Sequence, residues 1–282
     1  MKVAALVRDR PQADGDLVSW MAGTQLLARA VSILLYLREC EDAITVRQLA
    51  EALQVPVKTV YRVVRTLELG GLVDRTHRPY VSLGLRLMDL GQAKQRQVTH
   101  ELGPVALPIL ESLTADTDET SLLVMPTGAR AICILAVEPS RAIRLSYQPG
   151  RVFPLYAGAS GKVLLPWLSP HLLETAIAQA EGQLLGDGRR LVATGLRAEI
   201  ATIRQRGYCV THAELDPGAS AVAAPVFGRG GQILAALSVA GPEVGFAADR
   251  LPGLIEKVKA AAEATCLALA AVRGPRAIGG RA

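Results

Sequence analysis

The fold of the N-terminal part of the chain is decided by residues 45–71, which read TVRQLAEALQVPVKTVYRVVRTLELGG. Thr45 is a good N-cap for a helix. The apolar residues that follow it have the spacing of one helical face: Val46, Leu49, Ala50 and Leu53. Pro56 then interrupts the pattern, because proline is tolerated only in the first turn of a helix. A second helix follows and ends at Gly70. The stretch therefore predicts two short helices joined by a tight turn.

The second helix has one apolar face and one polar face. The apolar positions are Val60, Val63, Val64 and Leu67. The polar face carries Lys58, Thr59, Tyr61, Arg62 and Arg65. Downstream, residues 72–75 and 80–83 read as two strands joined by Thr76-His77-Arg78-Pro79. Helix, turn, polar-faced helix and basic hairpin in this order are typical of a winged helix-turn-helix, which places its second helix in the major groove of DNA.

The composition fits a protein of about two domains that does not enter a membrane. Half of the 282 residues are hydrophobic, which is ample material for a core. No uncharged apolar run reaches the roughly 18 residues of a membrane span, and the start is too charged for a signal peptide. We therefore expect a cytoplasmic protein. The net charge is +5, and basic residues outnumber acidic ones between residues 57 and 78, as a DNA-facing surface requires.

Changes of pattern and composition divide the chain into five segments. They are a mobile N-terminal arm (1–22), a winged helix-turn-helix (23–83), a linker helix (84–99), a second domain (100–272), which the resemblance given below implies is an effector-binding domain, and a flexible tail (273–282). Within the second segment, a helix over about 24–38 has an apolar stripe of Leu27, Val31, Leu34 and Leu35. The linker helix is expected over 84–97 because polar residues dominate its second half.

The second domain is predicted to combine strands at both ends with helices between them. The predicted strands are 121–125, 131–138, 142–147, 209–211, 221–227 and 232–240, with 150–154 as a loop. The predicted helices are 105–114, 159–168, 170–180, 196–207 and 251–272. The glycine-rich turn at 228–231 joins the last two strands as a hairpin. This order predicts an α+β fold with a largely antiparallel sheet.

Seven short motifs occur in an order that resembles one protein family. In the first domain they are residues 28–31 (ARAV), 56–62 (PVKTVYR) and 80–87 (YVSLGLRL). In the second they are residues 154–162 (PLYAGASGK), 206–208 (RGY), 223–227 (AAPVF) and 237–242 (LSVAGP). The set resembles the IclR family of bacterial transcription regulators. That resemblance implies a ligand-sensing regulator that dimerises and often tetramerises, with a GAF-like C-terminal domain that holds a small effector, frequently an organic or aromatic acid.

The candidate DNA-binding residues lie on the second helix and the hairpin. Lys58 and Thr59 occupy its first turn, and Arg62 and Arg65 follow at one-turn intervals. Arginine and lysine neutralise phosphates or read guanine, and hydroxyls add contacts. The remaining candidates are Arg47 in the preceding helix, Tyr61 for a thymine methyl or a phosphate, and Arg75 and Arg78 on the wing. The alternative for Tyr61 and Arg65 is packing against neighbouring side chains.

The candidate effector site begins with a run of small residues: Ala157, Gly158, Ala159 and Ser160. These leave room for a ligand, and the N–H groups of the helix expected next would suit a carboxylate. Close packing of that helix on a sheet is the alternative explanation. The family resemblance adds Ile143 and Leu145 from one strand, Glu214 or His212 from a loop, Ala221, and Ser238 from a late strand. We hypothesise an anionic or aromatic metabolite as the effector.

Other chemistry finds little support in the sequence. Cys209 and His212 have a metal-like spacing, but further ligands are not obvious nearby, so no metal or other cofactor is expected. The Gly161-Lys162 pair lacks the spacing of a phosphate-binding loop. Because no catalytic triad or diagnostic pair of carboxylates is found, we expect no enzyme. A purely architectural DNA-binding protein would not need so large a second domain. The predicted partners are duplex operator DNA, a small effector and further copies in a homodimer or homotetramer, with no membrane.

Overall fold

The structure, a computed structural model, describes residues 24–75 and 77–271. Its contacts divide the chain into one unit that ends at Lys94 and another that begins at Gln95. The predicted N-terminal arm (1–22) and tail (273–282) lie outside the described residues. Among the helices that are described, none is both long enough and apolar enough to cross a membrane.

The first unit is a winged helix-turn-helix. Its elements are α1 (Gln25–Arg38), β1 (Ile44–Thr45), α2 (Val46–Leu53), α3 (Val57–Leu69), β2 (Val73–Asp74) and β3 (Tyr80–Leu83). The three strands form an antiparallel sheet in the order β1-β3-β2. Helix α2 begins with a capping box, in which the Gln48 N–H donates to the Thr45 hydroxyl and the Gln48 side chain accepts from the Thr45 N–H. The N-cap predicted at Thr45 is confirmed.

The core of this unit confirms one predicted face and corrects another. Helix α3 buries its four predicted residues, Val60, Val63, Val64 and Leu67. The apolar stripe predicted for α1 was wrong, because α1 buries Ala28, Ile33 and Leu37 instead. Leu27 and Val31 of the predicted stripe are 59% and 38% exposed, and Leu34 and Leu35 are half-buried. The helix therefore has apolar side chains on more than one side.

One long helix, α4 (Arg86–Thr117), replaces the two helices predicted at 84–97 and 105–114. Prolines usually break helices, yet α4 contains Pro104 and Pro108. The part from Gln95 onward belongs to the second unit, where Ala106, Leu110 and Leu113 pack into an apolar core. Burial of these side chains offsets the hydrogen bonds that the prolines cannot donate.

Up to residue 271, where the described part ends, the second unit continues with six strands and four more α-helices. They are β4 (Thr120–Thr127), β5 (Arg130–Val137), β6 (Val152–Pro154), α5 (Ala159–Lys162), α6 (Pro170–Ala180), α7 (Ala193–Arg206), β7 (Cys209–His212), β8 (Ala219–Phe227), β9 (Ile233–Pro242) and α8 (Leu251–Ala271). The sheet order is β6-β5-β4-β9-β8-β7, and every pair is antiparallel. The predicted α+β class and antiparallel sheet are confirmed.

Two cores cover the two faces of this sheet, as alternation along the strands requires. On one face, Leu123 and Val222 meet α4 and α8. On the other, Leu122 and Ala223 meet α5, α6 and α7. The second face positions the site described below.

Two predicted elements near that face were wrong. The strand expected at 142–147 is irregular, and β6 pairs with β5 in its place. The helix expected at 159–168 stops after Lys162 and is followed by a 3-10 turn at Leu165–Trp167, since Pro166 has no N–H to continue an α-helix.

Candidate functional site

The polar face of α3 points away from the core of the first unit. Lys58, Tyr61, Arg62 and Arg65 are exposed, and Thr59 is half-buried. The buried face lies on the opposite side of the helix, so the same amphipathic pattern that folds the unit also presents the basic side chains. Arg47, on α2, is exposed as well. This surface has the charge and the helical form that the major groove accommodates.

Arg75 is placed differently from the prediction. Its side chain is only 11% exposed, and its Nη1 lies 3.4 Å from Glu68 Oε2. Its guanidinium also lies 5.7 Å from the centre of the Tyr61 ring. These contacts join the wing to α3, so Arg75 supports the surface rather than extending from it. Arg78 remains 73% exposed at 4.0 Å from Glu68.

A cavity that is partly open to solvent lies on the α5 side of the large sheet, and the space of about 440 Å³ that it spans includes open solvent. Five of the predicted residues are in its wall: Gly158, Ala159, Ser160, Glu214 and Ala221. The small side chains therefore border an empty space, in addition to packing the helix closely on the sheet.

The other predicted residues lie outside the wall. Ala157 is buried, and the Ser238 hydroxyl lies 2.8 Å from the Ser160 hydroxyl, behind the wall. His212 is exposed, although its Nδ1 is 2.8 Å from the Ser220 hydroxyl. Leu145 is half-buried and Ile143 is 78% exposed, because their segment is not the strand that was expected. None of these five residues lines the cavity, contrary to the prediction.

Sequence reasoning missed most of the wall. The missed residues are Leu122, Tyr147, Phe153, Gly161, Thr211, Leu215, Asp216, Ala219, Ser220 and Ala240. Some carried a signal, since Thr211 and Ala240 are the register partners of Ala221 on the two neighbouring strands. Extending Ala221 across the predicted sheet would have found both.

Beneath the wall, Lys162 forms a buried ion-pair network. Its side chain is 1% exposed, and its Nζ lies 2.6 Å from Glu214 Oε1 and 2.8 Å from Glu199 Oε2. Burial acts to lower the pKa of Lys162, but Glu214 and Glu199 outweigh that effect and raise it. Lys162 therefore stays charged at neutral pH.

Glu214 also contacts the residue that precedes α5. Its Oε2 accepts a hydrogen bond of 3.1 Å from the Gly158 N–H. Helix α5, which follows, has only four residues and a negligible dipole. One N–H group next to the start of α5 is thus occupied by the protein's own carboxylate.

Two aromatic rings and one carboxylate of the cavity wall contact the guanidinium of Arg151. The rings of Tyr147 and Phe153 meet edge to face at 5.8 Å. The guanidinium of Arg151 lies 4.7 Å from the centre of the Tyr147 ring, and its Nη2 is 3.2 Å from Asp216 Oδ2. Burial raises the pKa of Tyr147 to about 12, so its phenol is neutral at physiological pH. The wall therefore combines an apolar body with serine, threonine and carboxylate groups.

The cysteines and acidic residues give no sign of a metal centre. All four cysteines are free. Within residues 24–75 and 77–271, no group of three or more histidine, cysteine, aspartate or glutamate side chains is arranged to hold a metal ion.

Comparison with known proteins agrees with both units. Residues 26–77 match the family described as the IclR helix-turn-helix domain, and residues 96–267 match the bacterial transcriptional regulator IclR C-terminal family. The HTH-type transcriptional regulator KipR of Bacillus subtilis is 35% identical over 222 residues, which cover 79% of this chain and 88% of KipR. The matched families and KipR are transcriptional regulators rather than enzymes.

Solved structures have the same fold. The IclR protein of Thermotoga maritima aligns with a TM-score of 0.58 at 25% identity, over 86% of this chain and 98% of the other. An IclR homologue from Microbacterium hydrocarbonoxydans, complexed with 4-hydroxybenzoate, aligns with a TM-score of 0.58 at 23% identity, over 88% of this chain and 100% of the other. Taken with the match along both units, these findings establish that the chain belongs to the IclR family of bacterial transcriptional regulators.

Proposed function

We propose that this regulator reads a specific DNA duplex with α3 and that a small metabolite in the cavity of the second unit changes its affinity for that duplex. The outward basic face of α3 is the observation that carries the proposal. Lys58 and Arg65 supply phosphate contacts, and Arg62, at the centre of the face, is placed to read a base edge. Arg78 supplies a backbone contact from the wing.

The effector that suits the cavity is small, with an apolar or aromatic body and a polar group. Leu122, Tyr147, Phe153 and Leu215 provide the apolar wall, and the hydroxyls of Ser160, Thr211 and Ser220 provide hydrogen-bond partners. The homologue crystallised with 4-hydroxybenzoate supports a ligand of this size and chemistry. We extend the proposal to a carboxylate as the polar group.

We also propose that the regulator acts in the cytoplasm as a homodimer, or as a tetramer made of dimers. One winged helix reads one half-site, and two-fold dimers read two half-sites in register. Exposed apolar side chains in the first unit support a second copy as the partner. They are Leu26, Leu27 and Val31 on α1, and Leu85, Met88 and Leu90 further along the unit.

The experiment starts by selecting duplexes from a random library with the purified full chain. Enriched duplexes are then titrated by fluorescence anisotropy against wild type and Arg62→Ala. If Arg62 reads a base, the variant loses about 1–3 kcal/mol of binding free energy and tolerates any base at one position. Arg197→Ala, which removes an exposed charge paired with Glu174 in the second unit, serves as the matched control. Failure to enrich any sequence would contradict the proposed DNA reading.

The second arm of the experiment addresses the effector. Metabolites that change the melting temperature are added to the duplex titration, because a ligand that binds the folded state stabilises it. Ser160→Trp fills the cavity and should abolish the response while DNA binding persists. Gln205→Trp, on the exposed end of α7, should leave the response intact. An unchanged response in Ser160→Trp would place the effector elsewhere.

A further inference from the structure

Arg151 lies just outside the cavity wall but contacts three residues that belong to it. Its guanidinium is 4.7 Å from the centre of the Tyr147 ring and 5.3 Å from that of Phe153. Its Nη2 donates to Asp216 Oδ2 at 3.2 Å. Tyr147, Phe153 and Asp216 all line the cavity. The cation is therefore held beside the cavity wall by two aromatic rings and one carboxylate.

The charges around the cavity explain why the position of Arg151 matters for a ligand. Among the described residues, the charged members of the wall are two carboxylates, Glu214 and Asp216. Lys162 is buried and bonded to Glu214 and Glu199, so it is not available to a ligand. Arg189, which contacts Glu214, is itself held by Asp187. An acid that entered a wall of this kind would be repelled unless a cation beside the wall accepted it. Arg151 is such a cation, and its side chain is 40% exposed.

We propose that Arg151 selects a carboxylate-bearing effector, and that Asp216 holds the same position on Arg151 while the cavity is empty. The inference rests on the proposed function, because it assigns the specificity of the same cavity. When the effector binds, its carboxylate replaces that of Asp216 on the guanidinium, and Asp216 turns to solvent. Arg151 has one carboxylate partner both before and after the exchange.

The geometry favours this exchange over a permanent Arg151–Asp216 pair. Asp216 is already 45% exposed, so releasing it to water requires little rearrangement. A guanidinium offers five N–H donors in a planar fork, and one hydrogen bond to Asp216 leaves donors for a second oxygen. The rings of Tyr147 and Phe153 keep the guanidinium in place during the exchange. An effector with a planar apolar body and one carboxylate fits both the rings and the cation.

The test uses small carboxylates, each matched with its primary amide: benzoate with benzamide, 4-hydroxybenzoate with 4-hydroxybenzamide, and nicotinate with nicotinamide. Melting temperatures identify the pairs that bind, and isothermal titration gives their affinities. At least one acid should bind wild type more tightly than its amide. Arg151→Gln should weaken that acid roughly tenfold to hundredfold and leave the amide unchanged, because a hydrogen bond to a charged group is lost. Asp216→Asn should strengthen the acid, because its competitor is removed.

Arg144→Gln is the matched control. Arg144 lies in the same segment and pairs with Glu138 outside the cavity wall, so its loss should leave the ratio of acid to amide affinity unchanged. The role of Arg151 is overturned if no acid in the set binds, or if Arg151→Gln keeps the wild-type ratio. Titration of the selected duplex separates this failure from failure of the proposed function. A neutral ligand that alters DNA binding would preserve the regulator and reject the role of Arg151.

Discussion

Lys162 connects the cavity to the interior of the second unit through two carboxylates. Its amine is nearly inaccessible to water, and both Glu214 and Glu199 lie within hydrogen-bond distance. Glu214 in turn holds the Gly158 N–H at the cavity wall. A buried ion pair contributes little net stability, but removing one partner leaves a buried charge without compensation. The position of the wall therefore depends on a charge balance that a single substitution can upset.

Lys162→Met should destabilise the second unit by about 3–5 kcal/mol, because Glu214 then loses its buried cationic partner and keeps only the longer ionic contact, 3.4 Å, with the exposed Arg189. Urea unfolding followed by circular dichroism measures the free energy of unfolding. Arg197→Met, which breaks the exposed pair with Glu174, is the control and should change stability little. Equal losses in the two variants would contradict a structural role for the network.

At the scale of elements, the helix-turn-helix depends on where α2 and α3 begin. The capping box at Thr45 and Gln48 fixes the first residue of α2, and the left-handed conformation of Gln54 (φ 53°) ends the helix. Pro56 then precedes the first turn of α3. These local signals set the turn between the helices and hence the direction of the polar face.

Thr45→Ala should cost about 1 kcal/mol of stability, since the hydroxyl no longer accepts from the Gln48 N–H. Thr202→Ala is a suitable control, because Thr202 lies within α7 and its hydroxyl bonds only the carbonyl of Ala198 one turn earlier. Thermal unfolding of the full chain gives the comparison. The cap has no structural importance if both substitutions have the same effect.

The elements that local patterns specify were predictable from the sequence, and those that tertiary contacts specify were not. Helix α3 was predicted with its buried face because its period is unambiguous. The segment at 142–147 alternates like a strand, but side-chain contacts hold it in place of strand pairing. Arg141, just before the segment, pairs with Glu119, and the Thr120 hydroxyl donates to the Leu145 carbonyl. Strand propensity depends on such context.

The candidate sites, too, were predictable where local patterns specify them and not where tertiary contacts do. Continuous motifs located the polar face of α3 and the small residues around Gly158. The wall also includes Asp216, which is distant in sequence from Tyr147 and Phe153 and meets them only in the folded unit. The contact between Arg75 and Tyr61 was also beyond a sequence argument, because it requires the wing to fold back on α3.

At the scale of the whole molecule, the property to be tested is how copies of the chain assemble. Leu27 and Val31 are exposed on α1, although a helix side with aliphatic residues is usually covered. A second copy that covers them would also supply the second recognition helix that a two-fold operator needs. The same residues would then serve both assembly and DNA binding.

Leu27→Glu combined with Val31→Glu should produce monomers that remain folded, because both side chains are exposed in the single chain. Light scattering after gel filtration gives the mass, and anisotropy gives the affinity for the selected duplex, which should fall strongly. Leu184→Glu, an exposed leucine of the second unit, should alter neither measurement. A dimeric double variant would show that assembly uses another surface.

The contacts of Arg75 with Glu68 and Tyr61 affect how the regulator responds to a ligand. Because Arg75 fastens the wing to α3, we expect the two to move together as one DNA-reading unit, here called a head. In the proposed dimer, a ligand bound in the other unit would then act on the separation of two heads rather than on the bases that each head prefers. Operators that differ by one base pair of spacer should therefore differ in induction, whereas operators that differ within a half-site should differ in occupancy and be induced alike.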